Sequence, residues 1–466
     1  MKRWVPASLR PVLVPLVVGF VISAALYLLG GEVALRYDEL AYVARADNFL
    51  HGAGYDGFLF APGYSFVIAV LQSIFGSWVE WLRFFQIICS CVTGYFVTRI
   101  SGLVFGERTA VLSGYIWAGH LPLAMYSHNL WPEALFLFFF VPAVYALLLA
   151  KQEPAPRRRR SLLVTAGVAL GLASCLKESV VFFPLVCAGW LGLARPRLRW
   201  DAMWFLVPVA ITLVPVAAWH RHRYGEFMLT GGTVPINLDV GLNGEYHNFE
   251  YNTIEALYQE AGEDFSVHVN RTFADYGPGW PAKEDGTVSE RTIWNLEHAI
   301  SYAADHKGRF VLTRIKKLAD LYSPLSFMVR DVAFAYDGPL SGRALRRPVV
   351  IIALLSTGLV LLFGWLGLVN LRRRPGIALF ACVIGYFTAT GLVNAMSRIR
   401  VPMEPFFIVL ASSFILSHRR VPETLHGRLA LALVPLILAS LWAINGGEIS
   451  EVVKLAWLRE DYVLSD

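Results

Sequence analysis

Residues 62–76, "PGYSFVIAVLQSIFG", decide how the rest of the chain is threaded. They are apolar enough to enter a membrane but short of the roughly 20 residues a helical span needs. Pro62 and Gly63 begin the stretch. Fuller apolar runs surround it, at approximately 12–30, 84–104, 109–126, 133–150, 161–176, 179–194, 202–219, 349–370, 376–396, 403–417 and 429–445. Cationic short loops mark the cytoplasmic side of a membrane protein, so two threadings can be compared by their loops. If 62–76 stays out of the count, the loops on the side of the N-terminus are "RISGLVFGER", "KQEPAPRRRR", "ARPRLRWD", "LRRRPG" and "SHRRVPETLHGR", each rich in Arg or Lys. The opposite loops, "SHNLW", "LKES" and "NAMSRIRVP", are poorer in cations. Counting 62–76 as a span would place "PAPRRRR" and "LRRRPG" outside, against that rule. Residues 62–76 are therefore expected to lie along the outer interface as a juxtamembrane helix.

The threading predicts an all-α polytopic membrane protein of eleven spans, with the N-terminus inside and the C-terminus outside. Its parts are an N-terminal transmembrane module, 1–219, carrying a first outer loop at 31–83, and a large outer segment, 220–348. C-terminal spans follow at 349–445, then an outer tail at 446–466. The start, "MKRWVPASLRPVLVPLVVGFVISAALYLLGG", reads as an uncleaved first span, because its apolar core exceeds a typical signal-peptide h-region. The outer segment is expected to hold a small mixed subdomain around "GGTVPINLDVGLNGEYHNFEYN". Its later part, "GRFVLTRIKKLADLYSPLSF", reads as an amphipathic helix with Arg314, Lys316 and Lys317 near lipid headgroups.

Composition agrees. Of 466 residues, 56% are hydrophobic and only 16% charged, where soluble chains carry about a quarter charged residues. The formal charge of +6 sits in short loops and accompanies no nucleic-acid-binding motif, so nucleic acid is excluded as a partner. The five cysteines, Cys89, Cys91, Cys175, Cys187 and Cys382, fall in or at the end of apolar runs, which excludes a disulfide framework. No Cys/His cluster has zinc spacing, and no cofactor is expected; a divalent metal is compatible with the chemistry but not indicated.

The outer face gathers ionisable residues at span ends, where charge is expensive unless it pairs or serves a site. Asp38 and Glu39 open the first outer loop in "RYDELAYVAR". Glu133 tops the fourth span, Lys177 and Glu178 join the fifth and sixth, and Arg398 and Arg400 join the ninth and tenth. Each has a structural alternative. Asp38 could cap the helix "ELAYVARADNFL", and Glu133 could favour a helix start. Lys177 and Glu178 could pair with each other, and the two arginines could snorkel to headgroups. Convergence of all four sites on one face favours function. Other patterns carry less. "GAGYDG" at 52–57 fits a dinucleotide spacing but lacks the flanking βαβ context. "GVALG" at 167–171 fits a helix contact. Asn270 opens a glycosylation sequon, and His120 and His128 have no metal partner at helical spacing.

The acidic pair after span one, the Pro-opened interfacial helix and "FGERTAVLSGYIWAGHLPLAMYSHNLWPEALF" resemble the polyprenyl-phosphate-sugar-dependent GT-C membrane glycosyltransferases. These include the protein O-mannosyltransferases and the aminoarabinose transferases of lipid A. "RIRVPMEPFFIVLASSFIL" is similar to an Arg-x-Arg-x-Pro-x-x-Pro stretch of bacterial family 39 members. The chain departs from the aminoarabinose-transferase pattern at "FLFAPGY", which lacks a Glu-Lys-Pro. It departs from the metal-dependent oligosaccharyltransferase pattern in having no acid paired with Glu133. The resemblance implies sugar transfer from a polyprenyl-phosphate donor to a hydroxyl of a glycan, lipid or protein acceptor, on the outer face of a bacterial inner membrane.

The residues suit that chemistry, which needs a base for the acceptor and cations for the departing phosphate. Asp38 is the expected base, with Glu39 and Glu133 orienting hydroxyls. Lys177, Arg398 and Arg400 would hold the phosphate. Tyr64 and Phe66 would line a groove for the lipid tail. The competing reading is a lipid or glycolipid transporter, which should show broken helices at mid-membrane and internal symmetry. No long-period repeat is visible in the sequence.

Overall fold

Away from water a chain must satisfy its backbone polar groups internally, and helices do so within one segment. The computed structural model follows this rule. It describes residues 10–31, 35, 38–52, 60–194, 200–242, 287–334, 338–370, 376–394, 397–417 and 425–458, and no strand occurs among them. The N-terminal half comprises α1 (Arg10–Gly30), α2 (Asp38–His51), α3 (Pro62–Ile74), α4 (Trp78–Phe105), α5 (Glu107–Gly119), α6 (Leu121–Met125), α7 (Glu133–Gln152), α8 (Pro156–Leu176), α9 (Phe183–Ala194) and α10 (Met203–Tyr224). There follow α11 (Val234–Leu242), α12 (Val288–Asp305), α13 (Lys307–Leu321) and α14 (Phe327–Phe334). The chain then continues through α15 (Arg343–Asn370), α16 (Ile377–Val393), α17 (Ser397–Arg400), α18 (Glu404–Ser417), α19 (Leu425–Ile444) and α20 (Gly446–Leu458).

Six of these, α1, α4, α7, α8, α10 and α15, are long and apolar enough to cross a bilayer, and the protein is an integral membrane protein. Leu431–Ile444 and Gly446–Lys454 form a further apolar pair bent by 70°. Parts of α9, α16 and α18 stand among the shorter apolar helices. The most enclosed span is α7, 72% buried, packed between α4 and α8.

Two glycines set how closely α8 meets α10. A Cβ at Gly171 would lie 2.7 Å from the Thr212 Cβ, and one at Gly167 would strike the Phe205 carbonyl. "GVALG" is thus a helix contact within the chain.

Helix α3 has thirteen residues, about 20 Å at 1.5 Å per residue, against a hydrocarbon core of about 30 Å. It packs on α2, α4 and α8. Tyr64, Ser65, Ile68 and Ala69 face inward while Phe66, Val70 and Ile74 are exposed, as suits a helix lying at an interface.

The part of 220–348 that is described is helical. Of residues 231–252, around which the mixed subdomain is expected, 231–242 are described and carry α11 with no strand, while 243–286, Asn270 and most of "GAGYDG" lie outside the described residues. The amphipathic helix is present as α13, but two of its cations do not face headgroups. Arg314 donates to the Leu392 carbonyl at 2.8 Å and the Gly241 carbonyl at 2.6 Å. Lys317 donates to Gly241 at 2.6 Å and Val393 at 2.5 Å. The last carbonyls of a helix lack partners within it and carry its negative dipole end. These cations close the ends of α11 and α16.

Candidate active site

Four span-end residues far apart in sequence meet at one end of the bundle. Asp38 begins α2, Glu133 begins α7, Lys177 follows α8, and Arg398 sits in the short α17. Glu133 is fully buried, and its Oε1 accepts from Lys177 Nζ at 2.9 Å and from Arg398 Nε at 2.8 Å. Arg398 Nη1 donates to Asp38 Oδ2, and Lys177 Nζ also donates to the Arg398 carbonyl at 3.1 Å. The order Asp38–Arg398–Glu133–Lys177 alternates in sign, so with all four ionised the cluster is neutral. Burial opposes charge on Arg398, but Glu133 and Asp38 outweigh it and hold its pKa well above the usual value. At Lys177 burial wins over Glu133 and the pKa is lowered.

Aromatic side chains and a backbone frame fix this geometry. The Arg398 guanidinium lies 4.1 Å from the centre of the Trp131 ring, whose other neighbours are Tyr126 and Phe327. Ser397 Oγ accepts from the Phe327 amide at 3.1 Å. Tyr42 is buried beside Arg398, and burial keeps its hydroxyl protonated far above neutral pH.

The other expected site residues serve this frame. Glu39 is buried and accepts from the Leu130 amide at 2.6 Å, fixing the loop before Trp131. Tyr64, expected in a lipid groove, is instead fully buried and donates to Gln86 Oε1 at 2.7 Å. Gln86 in turn donates to the carbonyls of Ser127 at 3.1 Å and Asn129 at 2.8 Å. Of the two aromatics assigned to the groove, Phe66 alone is exposed, since residues two apart on a helix point to opposite sides.

Arg400 is not brought to the cluster. It is fully buried, pairs with Glu404 at 2.8 Å, and donates to the carbonyls of Leu321 at 3.0 Å, Ser323, and Leu325 at 3.3 Å. Trp131, Gln86 and Glu404 join this frame without being among the expected site residues. "SHNLWPE" and "RIRVPMEP" hold Trp131 and Glu404 beside the chosen residues, while Gln86 sits inside an apolar run with no local signal.

Lys177 and Glu178 do not pair as neighbours; they face different partners. Glu178 accepts from Thr233 Oγ1, and burial raises its carboxyl pKa to about 7 against the opposing effects of Thr233 and Arg45. Among the described residues no group of three or more His, Cys, Asp and Glu is placed to hold a metal. His120 is buried 3.9 Å from Glu404, and His128 contacts the Ser23 carbonyl at 3.0 Å.

Residues 60–219 match the sequence profile of the family described as dolichyl-phosphate-mannose-protein mannosyltransferase. No curated protein matches the chain. Among solved structures, the Archaeoglobus fulgidus oligosaccharyltransferase tethered to an acceptor peptide with the NVT sequon superimposes with a TM-score of 0.50 and 18% identity, over 97% of this chain and 55% of that one. The same enzyme with zinc and sulfate gives 0.50 and 16%, over 94% and 53%. ArnT from Cupriavidus metallidurans bound to undecaprenyl phosphate gives 0.35 and 15%, over 93% and 85%. The chain thus spans about half the length of the archaeal oligosaccharyltransferase, and it has the GT-C fold.

Proposed function

We propose that this protein is a membrane glycosyltransferase that moves a sugar from a polyprenyl-phosphate carrier to an acceptor hydroxyl, at the outer membrane surface where Asp38 stands. The observation that carries the reading is the joining of Asp38, Arg398, Glu133 and Lys177 from four span ends. The mannosyltransferase description of the family matched over 60–219 supports a lipid-phosphate donor.

In the proposed reaction the acceptor oxygen attacks the anomeric carbon as the bond from that carbon to the phosphate oxygen breaks. The bonding pair stays with the phosphate, whose charge goes from −1 to −2, and the hydroxyl proton passes to Asp38. Lys177 and Arg398 offset the developing charge, a fixed electrostatic contribution that needs no reorganisation. Before donor arrives Arg398 holds Asp38. An incoming phosphate competes for the same guanidinium and releases the carboxylate to act as base. Glu133 keeps both cations aimed, Glu39 and Tyr64 hold the loop that carries Trp131, and Arg400 anchors α17.

The test is release of bare polyprenyl phosphate by the purified protein in nanodiscs. The donors would be polyprenyl-phosphate mannose, glucose and arabinose, with an envelope glycan extract as acceptor. Release that depends on acceptor and falls in Asp38→Asn is expected. No release from any donor, with sugar-lipid crossing the bilayer instead, would favour transport.

A further inference from the structure

Beside the ion-pair cluster lies a second polar group that the proposed reaction does not use. It is assembled from the turn after α8, the middle of α2, the end of α10 and the segment before α11. Glu178 is held on one carboxylate oxygen by Thr233, while its Oε1 is buried with no hydrogen-bond partner. His220 is fully buried; its Nδ1 contacts the Met228 carbonyl at 3.0 Å and its Nε2 has no partner. The Arg45 guanidinium interacts electrostatically with both of them and lies 5.5 Å from the Trp219 ring centre and 5.8 Å from that of Phe49. Trp219 and Phe49 meet edge to face at 5.4 Å, and Trp219 contacts His220 at 5.0 Å.

Buried polar atoms of native proteins nearly always find partners, and each exception asks for an explanation. Here an acceptor oxygen and an imidazole nitrogen share one neighbourhood with a cation and an indole. That combination suits a hydroxylated ring: carboxylate and imidazole bond its hydroxyls, and the indole takes its apolar C–H face. A phosphate is disfavoured, because the anion has no proton to give to the acceptors Glu178 Oε1 and His220 Nε2, the latter on a ring whose Nδ1 faces the Met228 carbonyl. The site is also adjacent to the cluster, since Glu178 directly follows Lys177, whose Nζ reaches Glu133.

We infer that Glu178, His220 and Trp219 form a polyol subsite that recognises hydroxyls of a sugar ring, carried either by the lipid donor or by the acceptor. The inference rests on the glycosyltransferase reading and names a specificity element within it.

The experiment measures binding to the full-length protein in nanodiscs. The probes are bare polyprenyl phosphate, the same lipid carrying mannose, glucose or arabinose, and the matching free methyl glycosides. Glu178→Gln keeps the side chain's size and can still accept from Thr233; Trp219→Phe keeps an aromatic face. A melting curve of each variant confirms folding, and His220→Gln stands in for either variant that melts early. Roughly 10- to 100-fold weaker binding of one sugar probe is expected in Glu178→Gln, where a neutral amide replaces the acid that bonds the ring hydroxyl. Binding of the bare lipid phosphate should not change. Weakening confined to sugar-lipids assigns the subsite to the donor; weakening confined to methyl glycosides assigns it to the acceptor. If wild type binds no sugar probe beyond its lipid phosphate, or if folded variants bind all probes equally, the subsite is refuted. Failure of wild type to bind even bare polyprenyl phosphate would instead count against the donor class proposed for Lys177 and Arg398.

Discussion

Asp38 and Glu133 share Arg398 as a partner, yet their substitutions should read differently. The Asp38 side chain is 17% exposed where Glu133 is fully buried, and Asn can still accept from Arg398, so Asp38→Asn should keep a near-normal melting temperature while turnover falls roughly 10²- to 10⁴-fold. Full activity in that variant would reduce Asp38 to a cap. Glu133→Gln removes the anion between Lys177 and Arg398, taking the cluster from neutral to +1. We expect it to melt earlier, lose less turnover than Asp38→Asn, and bind bare polyprenyl phosphate more tightly; unchanged lipid affinity would contradict the assignment of both cations to phosphate. Arg400→Ala belongs to another class. It strands Glu404 in the interior, and breaking a buried pair costs about 3–5 kcal/mol, so loss of folded protein should precede any kinetic effect. Lys177→Ala leaves Glu133 paired with Arg398 and should mainly weaken donor use. Asp320 offers a pH test. Burial first, then Glu448, raises its carboxyl to about 8, against Asn445 and Arg330. Between an unfolded value near 4 and about 8 the native state holds a proton that the unfolded chain has released. Its contribution to stability is therefore complete below pH 4 and lost as pH rises towards 8. In Asp320→Asn the fall in melting temperature from pH 5 to 8 should shrink, and an unchanged slope would show that another group is responsible.

Helix contacts made through glycine are where single methyl groups should matter. A Cβ on Gly63 would sit 2.5 Å from the Cys175 carbonyl, two residues before Lys177. Gly63→Ala should therefore displace α3 from the end of α8 and lower turnover through Lys177. Gly167→Leu forces α8 from α10, an overpacking that costs about 1–3 kcal/mol or more. A lower melting temperature with no change in oligomeric state is expected, because the contact is internal. A dissociated oligomer would instead assign "GVALG" a role between chains. The clamp from α13 onto α11 and α16 has a positional consequence. Arg314 and Lys317 hold Leu392 and Val393, and Asn394 donates to Asn237 Oδ1 at 2.7 Å, just ahead of the residues that present Arg398.

Topology follows from the parity of the spans. Helix α7 starts at the ion-pair end and α8 returns to it, as α16 does from the far side, where Gly376 lies near Val104 and Leu148. Reporters fused after Arg160 and after Arg374 should be cytoplasmic, and those at His306 and after Asp466 should be outside. A cytoplasmic C-terminal reporter would imply an even number of spans and reopen the placement of α3. A single sequence of apolar runs and cationic loops is enough to state this, because both signals are local and periodic.

Much of the molecule was legible in that way. The all-helical class, the shortness of α3 and the gathering of charge at one end follow from composition, length and loop charge, which each segment carries by itself. Asp38, Glu133, Lys177 and Arg398 also stand out in the sequence, since charge at a span end is costly unless it finds a partner. What each charge does was not legible. Arg398 and Arg400 are two residues apart in one motif, yet one meets Asp38 and Glu133 while the other is spent on Glu404 and three carbonyls. Tyr64 turned inward to Gln86 and α13 turned its cations to helix ends for the same reason. A buried polar group takes the partner that tertiary packing brings within about 3 Å; Glu404 is four residues from Arg400, but Gln86 is 22 from Tyr64 and Asp38 is 360 from Arg398.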